Sequence, residues 1–466
     1  MTEIPPFKET DEDFEFLGCH VFSYKGTGRN VLLNRKVGTT IFVDDELLRT
    51  IHKECLSDDL RFKLIQRGFA KTSYSPEIQS TSSIILPTFF IVDLTNACNL
   101  RCSYCFRKYS QDSNPISDYV LDNICDYIIS YCKEYNQKQI TIQPWGGEPL
   151  LALSKIRRIQ DNFHKAGYAP RITIETNGIL LTSKIVNELF QRKISVSVSI
   201  DGISDVHDRQ RVLINGKGSF SSVYRGIANL QNSGYGNNFG TISVVTTNTL
   251  EYLEETLDYF AKELRLSSIK LNIVKGNLHA DETNLSLSSN EIIYFVSHLL
   301  GKLIELHKKG TSITEGNILE KLCNVLIRRD RNICISRGCV GGKRMVSFNK
   351  EGQIFPCELT DYSEEMLGTI GDDDDLVVLI KKAIEKSNYF SVKSIDECDS
   401  CPWWYYCRGG CTSSIIYKSG LVSGVDSTEC LVNKTLYPEL LKLIITEPEI
   451  TQGLSGEMVK ISWGKL

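Results

Sequence analysis

Sixteen cysteines in a chain of 466 residues constrain this fold more than any other feature. Three of them, Cys98, Cys102 and Cys105, stand in one short loop directly after an apolar strand pattern. Nine more, Cys323, Cys334, Cys339, Cys357, Cys398, Cys401, Cys407, Cys411 and Cys430, fall in the stretch 323–430. The opening residues carry neither a cationic stretch nor the apolar core of a secretion signal, so the cytoplasm is the expected location. Cytosolic thiols are held reduced, and clustered cysteines there point to metal ligation rather than to a disulfide framework.

A chain of this length is expected to divide into two or three domains. The balance of 41% hydrophobic and 24% charged residues is that of a globular enzyme. A net charge of −4 excludes nucleic acid as the main partner, because neutralising phosphates needs concentrated Lys and Arg. No stretch approaches the roughly 18 uninterrupted apolar residues of a membrane span, so no membrane partner is expected.

Residues 14–72 read as a small separate module of two strands, 16–24 and 30–42 with a break at Gly38, and two helices, 44–55 and 58–67. The polar stretch 73–83 reads as a linker. From residue 84 short apolar strands alternate with amphipathic helices, the pattern of a parallel sheet built from βα units. Six strands are predicted, at 89–94, 139–145, 171–175, 195–200, 241–246 and 269–274. The helices between them are predicted at 117–135, 154–165, 182–192, 219–232 and 251–264. The expected fold class is α/β, a partial (β/α)6 barrel with an N-terminal α+β module and a loop-rich, cysteine-dense C-terminal segment. The corresponding divisions are 1–83, 84–284, a helical connector at 285–333, 334–436, and a tail at 437–466. In such sheets chemistry sits at the C-terminal ends of strands, where the cysteine loop, Gly146-Gly147-Glu148-Pro149, Glu175-Thr176-Asn177-Gly178 and Asp201-Gly202 all fall.

Three thiols at Cys98, Cys102 and Cys105 can hold three irons of one cluster and leave the fourth open, as a catalytic site requires. A zinc loop, or thiols packed in a core, is the plain alternative. The CxxxCxxC loop, with Tyr104 before its last cysteine, resembles the defining motif of the radical S-adenosylmethionine (radical SAM) superfamily. Gly146, Gly147, Glu148 and Pro149 resemble that family's GGEP segment, which cradles the methionine amino group. Ser199, Asp201 and Gly202 resemble its strand-four segment, where the serine contacts the ribose. The run 201–211 also resembles this subgroup, with Arg211 a candidate partner for the methionine carboxylate. The plain alternatives are a sheet serine for Ser199 and a surface ion pair for Arg211. The resemblance implies reductive cleavage of S-adenosylmethionine to a 5′-deoxyadenosyl radical, which removes a hydrogen atom from a substrate.

A second resemblance covers the C-terminal cysteines. Cys339, twelve residues, Gly352, four residues and Cys357 are followed by Cys398-x2-Cys401-x5-Cys407-x3-Cys411 and by Cys430, the pattern of the SPASM domain. The resemblance implies two auxiliary 4Fe–4S clusters, one on Cys334, Cys339, Cys357 and Cys411 and one on Cys398, Cys401, Cys407 and Cys430. With the loop cluster that makes three. Zinc is the alternative, since CX2C pairs are also zinc-ribbon spacing. Glu358 follows Cys357 where related sulfatase-maturing enzymes place an acidic residue proposed as a base, and it is the candidate catalytic residue.

Cys125 and Cys132 lie on one apolar stripe of the 117–135 helix and read as core, as do the isolated Cys19, Cys55 and Cys323. The acidic run 372–375 reads as a solvated loop before a helix, and Trp403 and Trp404 as shields beside the ligands. SPASM-bearing relatives mostly modify peptides, so the expected activity is oxidative modification or cross-linking of a ribosomally made peptide. The N-terminal module loosely resembles winged modules that hold a leader peptide as an added strand. A reductant such as flavodoxin or ferredoxin is the other expected partner. The alternatives are an anaerobic sulfatase maturase forming formylglycine and, from another class, a non-catalytic iron–sulfur or zinc protein.

Overall fold

The computed structural model describes residues 2–4, 15–24, 26–52, 56–71, 86–107, 114–275, 284–327, 334, 338–359, 365–372, 375–386, 396–420 and 424–456. The linker expected at 73–83 and the thiol of Cys55 lie outside the described residues.

The N-terminal strands are β1 (Thr2–Ile4), β2 (Glu15–Phe16), β3 (Cys19–Tyr24), β4 (Arg29–Asn34), β5 (Thr39–Asp44) and β6 (Ala70–Lys71). They form a sheet of order β1-β3-β4-β5 and a separate β2–β6 pair. The single strand expected at 30–42 is a hairpin. Gly38 takes φ +65°, and its N–H donates to the Asn34 carbonyl at 2.8 Å. Helices Asp45–His52 and Asp58–Gln66 follow, the second capped by the Ser57 hydroxyl, which accepts from Leu60 N.

Side chains alternate between the two faces of a strand, and here both faces are covered. Val21, Leu32, Ile41 and Val43 pack with Leu48, Ile51, Leu64 and Phe69 of the module's helical side. Phe22, Val31 and Leu33 point the other way, into the main core that also contains Trp403, Tyr437 and Leu440. Tyr24 OH donates to the Pro438 carbonyl at 3.1 Å and Arg29 Nη1 to the Ile445 carbonyl at 2.8 Å. The module expected to stand apart is therefore docked on the C-terminal segment.

The main sheet has ten strands. Its members are β7 (Phe89–Thr95), β9 (Thr141–Gly146), β10 (Arg171–Thr176), β11 (Ser195–Ser199), β13 (Gly240–Val245), β14 (Ser268–Ile273), β15 (Thr314–Glu315), β16 (Met345–Phe348), β17 (Gln353–Phe355) and β18 (Gly368–Thr369). Two short strands, β8 (Leu100–Cys102) and β12 (Arg211–Leu213), pair antiparallel outside it. The order is β15-β14-β13-β11-β10-β9-β7-β16-β17-β18, parallel from β15 through β16 and antiparallel beyond. Among the described residues no pairing joins β15 to β18, so the barrel is not closed.

The six predicted strands correspond to β7, β9, β10, β11, β13 and β14, because buried parallel strands read as apolar runs. The first helix, Asp118–Glu134, is capped by Ser117 and buries Leu121, Ile124, Cys125, Ile128 and Cys132 as one stripe. The helix expected at 251–264 is broken into a 3₁₀ turn Leu250–Tyr252, a helix Leu253–Asp258 and a π turn Tyr259–Glu263. The connector carries helices Ser289–Lys308 and Gly316–Ile327, and between them β15 extends the sheet beside β14.

The C-terminal segment is more ordered than expected. Its hairpin β16–β17 joins the sheet beside β7, with Ser347 opposite Ile91. A helix runs from Ser427 to Thr446 through the expected 436/437 boundary, even though Pro438 removes a helical N–H donor. A four-residue strand and a proline-interrupted helix give little periodic signal, which is why this part read as loop. No described helix is long and apolar enough to cross a membrane.

The docking of the N-terminal sheet has a measurable consequence. Phe22 is 2% exposed, and Phe22→Ala is expected to cost about 3–5 kcal/mol of stability. Denaturant unfolding of the two proteins checks this, and a loss below about 0.5 kcal/mol, the size of a surface change, would contradict the docking.

Candidate functional site

The three-cysteine loop leaves the C-terminal end of β7 and is pinned on two sides. Thr95 Oγ1 accepts from Ala97 N at 3.0 Å, and the Cys98 sulfur lies 3.4 Å from Leu100 N. The loop then runs as β8 against β12, placing Cys102 opposite Arg211, while Ser103 N donates to the Gln210 carbonyl at 2.9 Å. Arg101 Nη1 closes the loop onto the Cys98 carbonyl at 3.0 Å. Cys98, Cys102 and Cys105 are all partly accessible. Burial raises the Cys98 and Cys102 thiols, the latter to about 12; Cys98 also feels Cys105, Cys102 feels both other sulfurs, and the Arg211 cation opposes the rise.

β9 ends against this loop, and its glycines are required there. A Cβ on Gly146, which has φ +141°, would lie 2.3 Å from the Thr95 carbonyl oxygen, and one on Gly147 would lie 2.3 Å from that of Ala97. The close approach that glycine permits is thus to the cysteine loop's own backbone. Gly147 N donates to the Thr95 carbonyl at 2.8 Å and Glu148 N to that of Ala97 at 2.9 Å. Glu148 is buried, and its carboxylate accepts from Leu150 N at 3.1 Å, Thr176 Oγ1 at 2.7 Å and Asn177 N at 2.8 Å. It ties the ends of β9 and β10 together, and Pro149 opens the short turn Pro149–Ala152 behind it.

Tyr104, Asp201 and Arg211 meet beneath the loop. Asp201 accepts from Tyr104 OH at 2.7 Å, Gln210 Nε2 at 2.9 Å and Val244 N at 2.9 Å. Arg211 Nη1 donates to Tyr104 OH and lies 3.9 Å from Asp201 Oδ2. Burial and the Asp201 charge push the Tyr104 hydroxyl well above its ordinary value, against the pull of Arg211, so it stays protonated. Arg211 Nε finds no hydrogen-bond acceptor among the described residues. The Ser199 hydroxyl, at the end of β11, makes no hydrogen bond among the described residues and is half-buried.

Two supporting residues lie in motifs quoted from the sequence but were given no role there. Asn177 Nδ2 donates to Asn99 Oδ1 at 2.6 Å and sits 4.0 Å from the Cys98 sulfur. His207 is fully buried; its Nδ1 accepts from Asp201 N at 3.2 Å, so Nε2 carries the proton toward Ser219 Oγ at 2.9 Å. Burial lowers its pKa to about 3, which makes it a neutral brace. Their one sequence signal is position, just past the ends of β10 and β11.

The hairpin docked on β7 carries the first C-terminal cysteines. Cys357, Val340 and Met345 pack on Phe89 and Ile91, with Trp145, the neighbour of Gly146, beside them. Cys339, Cys357 and Cys411 sense one another electrostatically, and Cys334 senses Cys411. Glu358 is half-buried, and its Oε2 has no hydrogen-bond partner among the described residues. Burial raises its pKa, while Lys275 and Arg107 oppose the rise. Arg107 itself holds Asp93 at 2.6 and 2.8 Å.

Cys398, Cys401, Cys407 and Cys430 line a single pocket together with Trp403 and Trp404. Among the described residues no three His, Cys, Asp or Glu side chains converge on a single metal ion. Such convergence is what a single zinc ion would need, whereas an iron–sulfur cluster spreads its irons over several positions. Cys19, Cys125, Cys132 and Cys323 are buried. Of the acidic run, Asp372 and Asp375 are described: Asp375 caps the helix Leu376–Lys386 through Val377 N and Val378 N.

Residues 92–260 match the radical SAM superfamily. The chain is 24% identical over 337 residues to the cysteine-type anaerobic sulfatase-maturating enzyme of Clostridium perfringens, covering 70% of this chain and 88% of that enzyme. Its fold is similar to native anSMEcpe with bound AdoMet and the Kp18Cys peptide, with a TM-score of 0.67 and 22% identity over 77% of this chain and 99% of that one. It is also similar to Streptococcus suis SuiB bound to the precursor peptide SuiA, with a TM-score of 0.52 and 14% identity over 90% of this chain and 98% of that one. S-adenosylmethionine and a 4Fe–4S cluster are the cofactors this domain implies. Residues 92–260 thus form a radical SAM domain, and the chain is an enzyme that carries it.

Proposed function

We propose that the chain oxidatively modifies or cross-links side chains of a ribosomally made peptide, with Cys98, Cys102 and Cys105 holding the cluster that binds S-adenosylmethionine. The observation that carries this reading is the three-thiol loop braced at the end of β7 by the Tyr104, Asp201 and Arg211 network. When bound, the cluster and S-adenosylmethionine supply a 5′-deoxyadenosyl radical for hydrogen abstraction. Ser199 Oγ and Arg211 Nε have no hydrogen-bond partner among the described residues, which suits them to the ribose and to the methionine carboxylate. Glu148 is a positioning residue, since its oxygens already serve three donors.

Cys334, Cys339, Cys357 and Cys411 form one auxiliary cluster site, and Cys398, Cys401, Cys407 and Cys430 the other, in the SPASM pattern. Their full thiolate sets suit electron relay and structure rather than substrate binding. Flavodoxin or ferredoxin supplies the electron. Glu358, beside Cys357 and opposite Asp93 and Arg107, takes the substrate proton.

Peptide as substrate class is supported by the relatives with bound peptides and by β5, the outer strand of the N-terminal sheet, whose edge can receive a leader as an added strand. A second reading, an anaerobic sulfatase maturase forming formylglycine, is favoured by the similarity that covers 88% of the clostridial enzyme. Mass spectrometry of the enzyme with a sulfatase-derived Cys or Ser peptide and with short peptides encoded by neighbouring reading frames separates the two. Modification of the neighbouring peptide alone supports the first reading.

Three outcomes are expected. Anaerobically reconstituted protein should contain about twelve irons per chain, and replacing Cys98, Cys102 and Cys105 with Ala should remove about four and abolish S-adenosylmethionine cleavage. Cleavage persisting in that variant would overturn the assignment. Glu358→Gln should keep cofactor cleavage and lose most product, and a wild-type product yield would remove Glu358 from the chemistry. Addition of a substrate peptide should slow amide hydrogen exchange across 39–44; a peptide that is modified without such protection would show that β5 is not its docking edge.

A further inference from the structure

The N-terminal sheet backs the second cysteine pocket by touching residues that line it. Arg35 Nη1, in the turn between β4 and β5, donates to the carbonyl of Cys398 at 3.1 Å. In the same turn the Gly38 carbonyl accepts from Tyr406 OH at 2.9 Å, and Thr40 Oγ1 lies 3.2 Å from that hydroxyl. The contact at Gly38 is close enough that a Cβ there would fall 1.9 Å from the Tyr405 ring. Behind the turn, Phe22 stacks on Trp403 at 5.4 Å and Trp403 stacks on Tyr437 at 4.9 Å. Trp403 itself lines the pocket of Cys398, Cys401, Cys407 and Cys430.

The polypeptide that carries three of these thiols has little structure of its own. It is a 3₁₀ turn at Asp396–Cys398 and a single helical turn at Trp404–Cys407. So short a stretch has no hydrogen-bond ladder to resist local opening and depends on what packs against it. Among the described residues the helix Ser427–Thr446, which carries Cys430, and the N-terminal sheet do so.

We propose that the N-terminal sheet is the outer wall of the second cysteine pocket, holding the 396–407 segment closed and keeping water, oxygen and chelators from the group bound there. This role is separate from peptide recognition and uses the face and turn of the sheet rather than the outer edge of β5. It rests on the reading that Cys398, Cys401, Cys407 and Cys430 hold a cluster.

The test is iron release to a chelator, and bleaching in air, from the reconstituted full chain. Arg35→Ala removes the hydrogen bond to Cys398, and Gly38→Val forces the turn away from Tyr405. Each is expected to speed loss of one cluster's iron about tenfold, the change in opening for losing one hydrogen bond from a charged donor. Lys63→Ala, on the far helix of the module where Lys63 only meets Asp59 at 2.8 Å, should release iron at the wild-type rate. The double variant Cys398→Ala, Cys401→Ala identifies the iron concerned. Wild-type release from both wall variants, with that iron missing from the cysteine variant, overturns the wall alone. Full iron content in the cysteine variant overturns the cluster reading and the wall with it.

Discussion

The parallel pairing of β7 with β16 is the contact on which the rest of the molecule depends. β7 delivers the three-cysteine loop from its C-terminal end, and β16 belongs to the hairpin that brings Cys339 and Cys357. Joining them in register, Met345 opposite Phe89 and Phe348 opposite Val92, makes the cysteine-dense segment a continuation of the catalytic sheet. Trp145, Phe89, Ile91 and Cys357 then share one apolar patch between the loop site and the first C-terminal thiol set. A slip of β16 by one residue would turn Met345 out of this patch to the other face.

Around the loop, polar groups are spent mostly on holding the protein. Asp201 serves Tyr104, Gln210 and Val244, and Glu148 serves three donors of its own. Buried carboxylates without such partners would cost several kcal/mol each, so these hydrogen bonds are the condition for placing charge there at all. Among the described residues the buried polar atoms left unengaged near the loop include Ser103 Oγ, Arg107 Nε and Trp145 Nε1 as well as Arg211 Nε and Glu358 Oε2, and the half-buried Ser199 Oγ makes no hydrogen bond either. The proposed chemistry falls on the last three.

Much of the sheet was legible in the sequence because runs such as Phe89-Phe-Ile-Val can only be strands buried on both sides. The cysteines stood out by their clustering and spacing, while their division into two auxiliary sets rests on the resemblance to the SPASM pattern. The docking of the N-terminal module was not foreseen, although Val31-Leu32-Leu33 is also a continuous apolar run and carries the signal of a strand covered on both faces. β15 and β16 escaped because two and four residues give no period, and the helix Ser427–Thr446 because Pro438 interrupts its pattern. Asn177 and His207 could not be ranked from sequence, since their importance is a distance to Cys98 and to Asp201.

The central claim is that the loop at the end of β7, and no other thiol set, meets S-adenosylmethionine. Electron paramagnetic resonance of the reduced enzyme, recorded with and without S-adenosylmethionine, tests it most directly. The account predicts that the cofactor shifts the signal of one cluster, that the shift is absent when Cys98, Cys102 and Cys105 are Ala, and that it survives in the Cys398→Ala, Cys401→Ala variant. A cofactor-induced shift that persists without the three loop cysteines would contradict it.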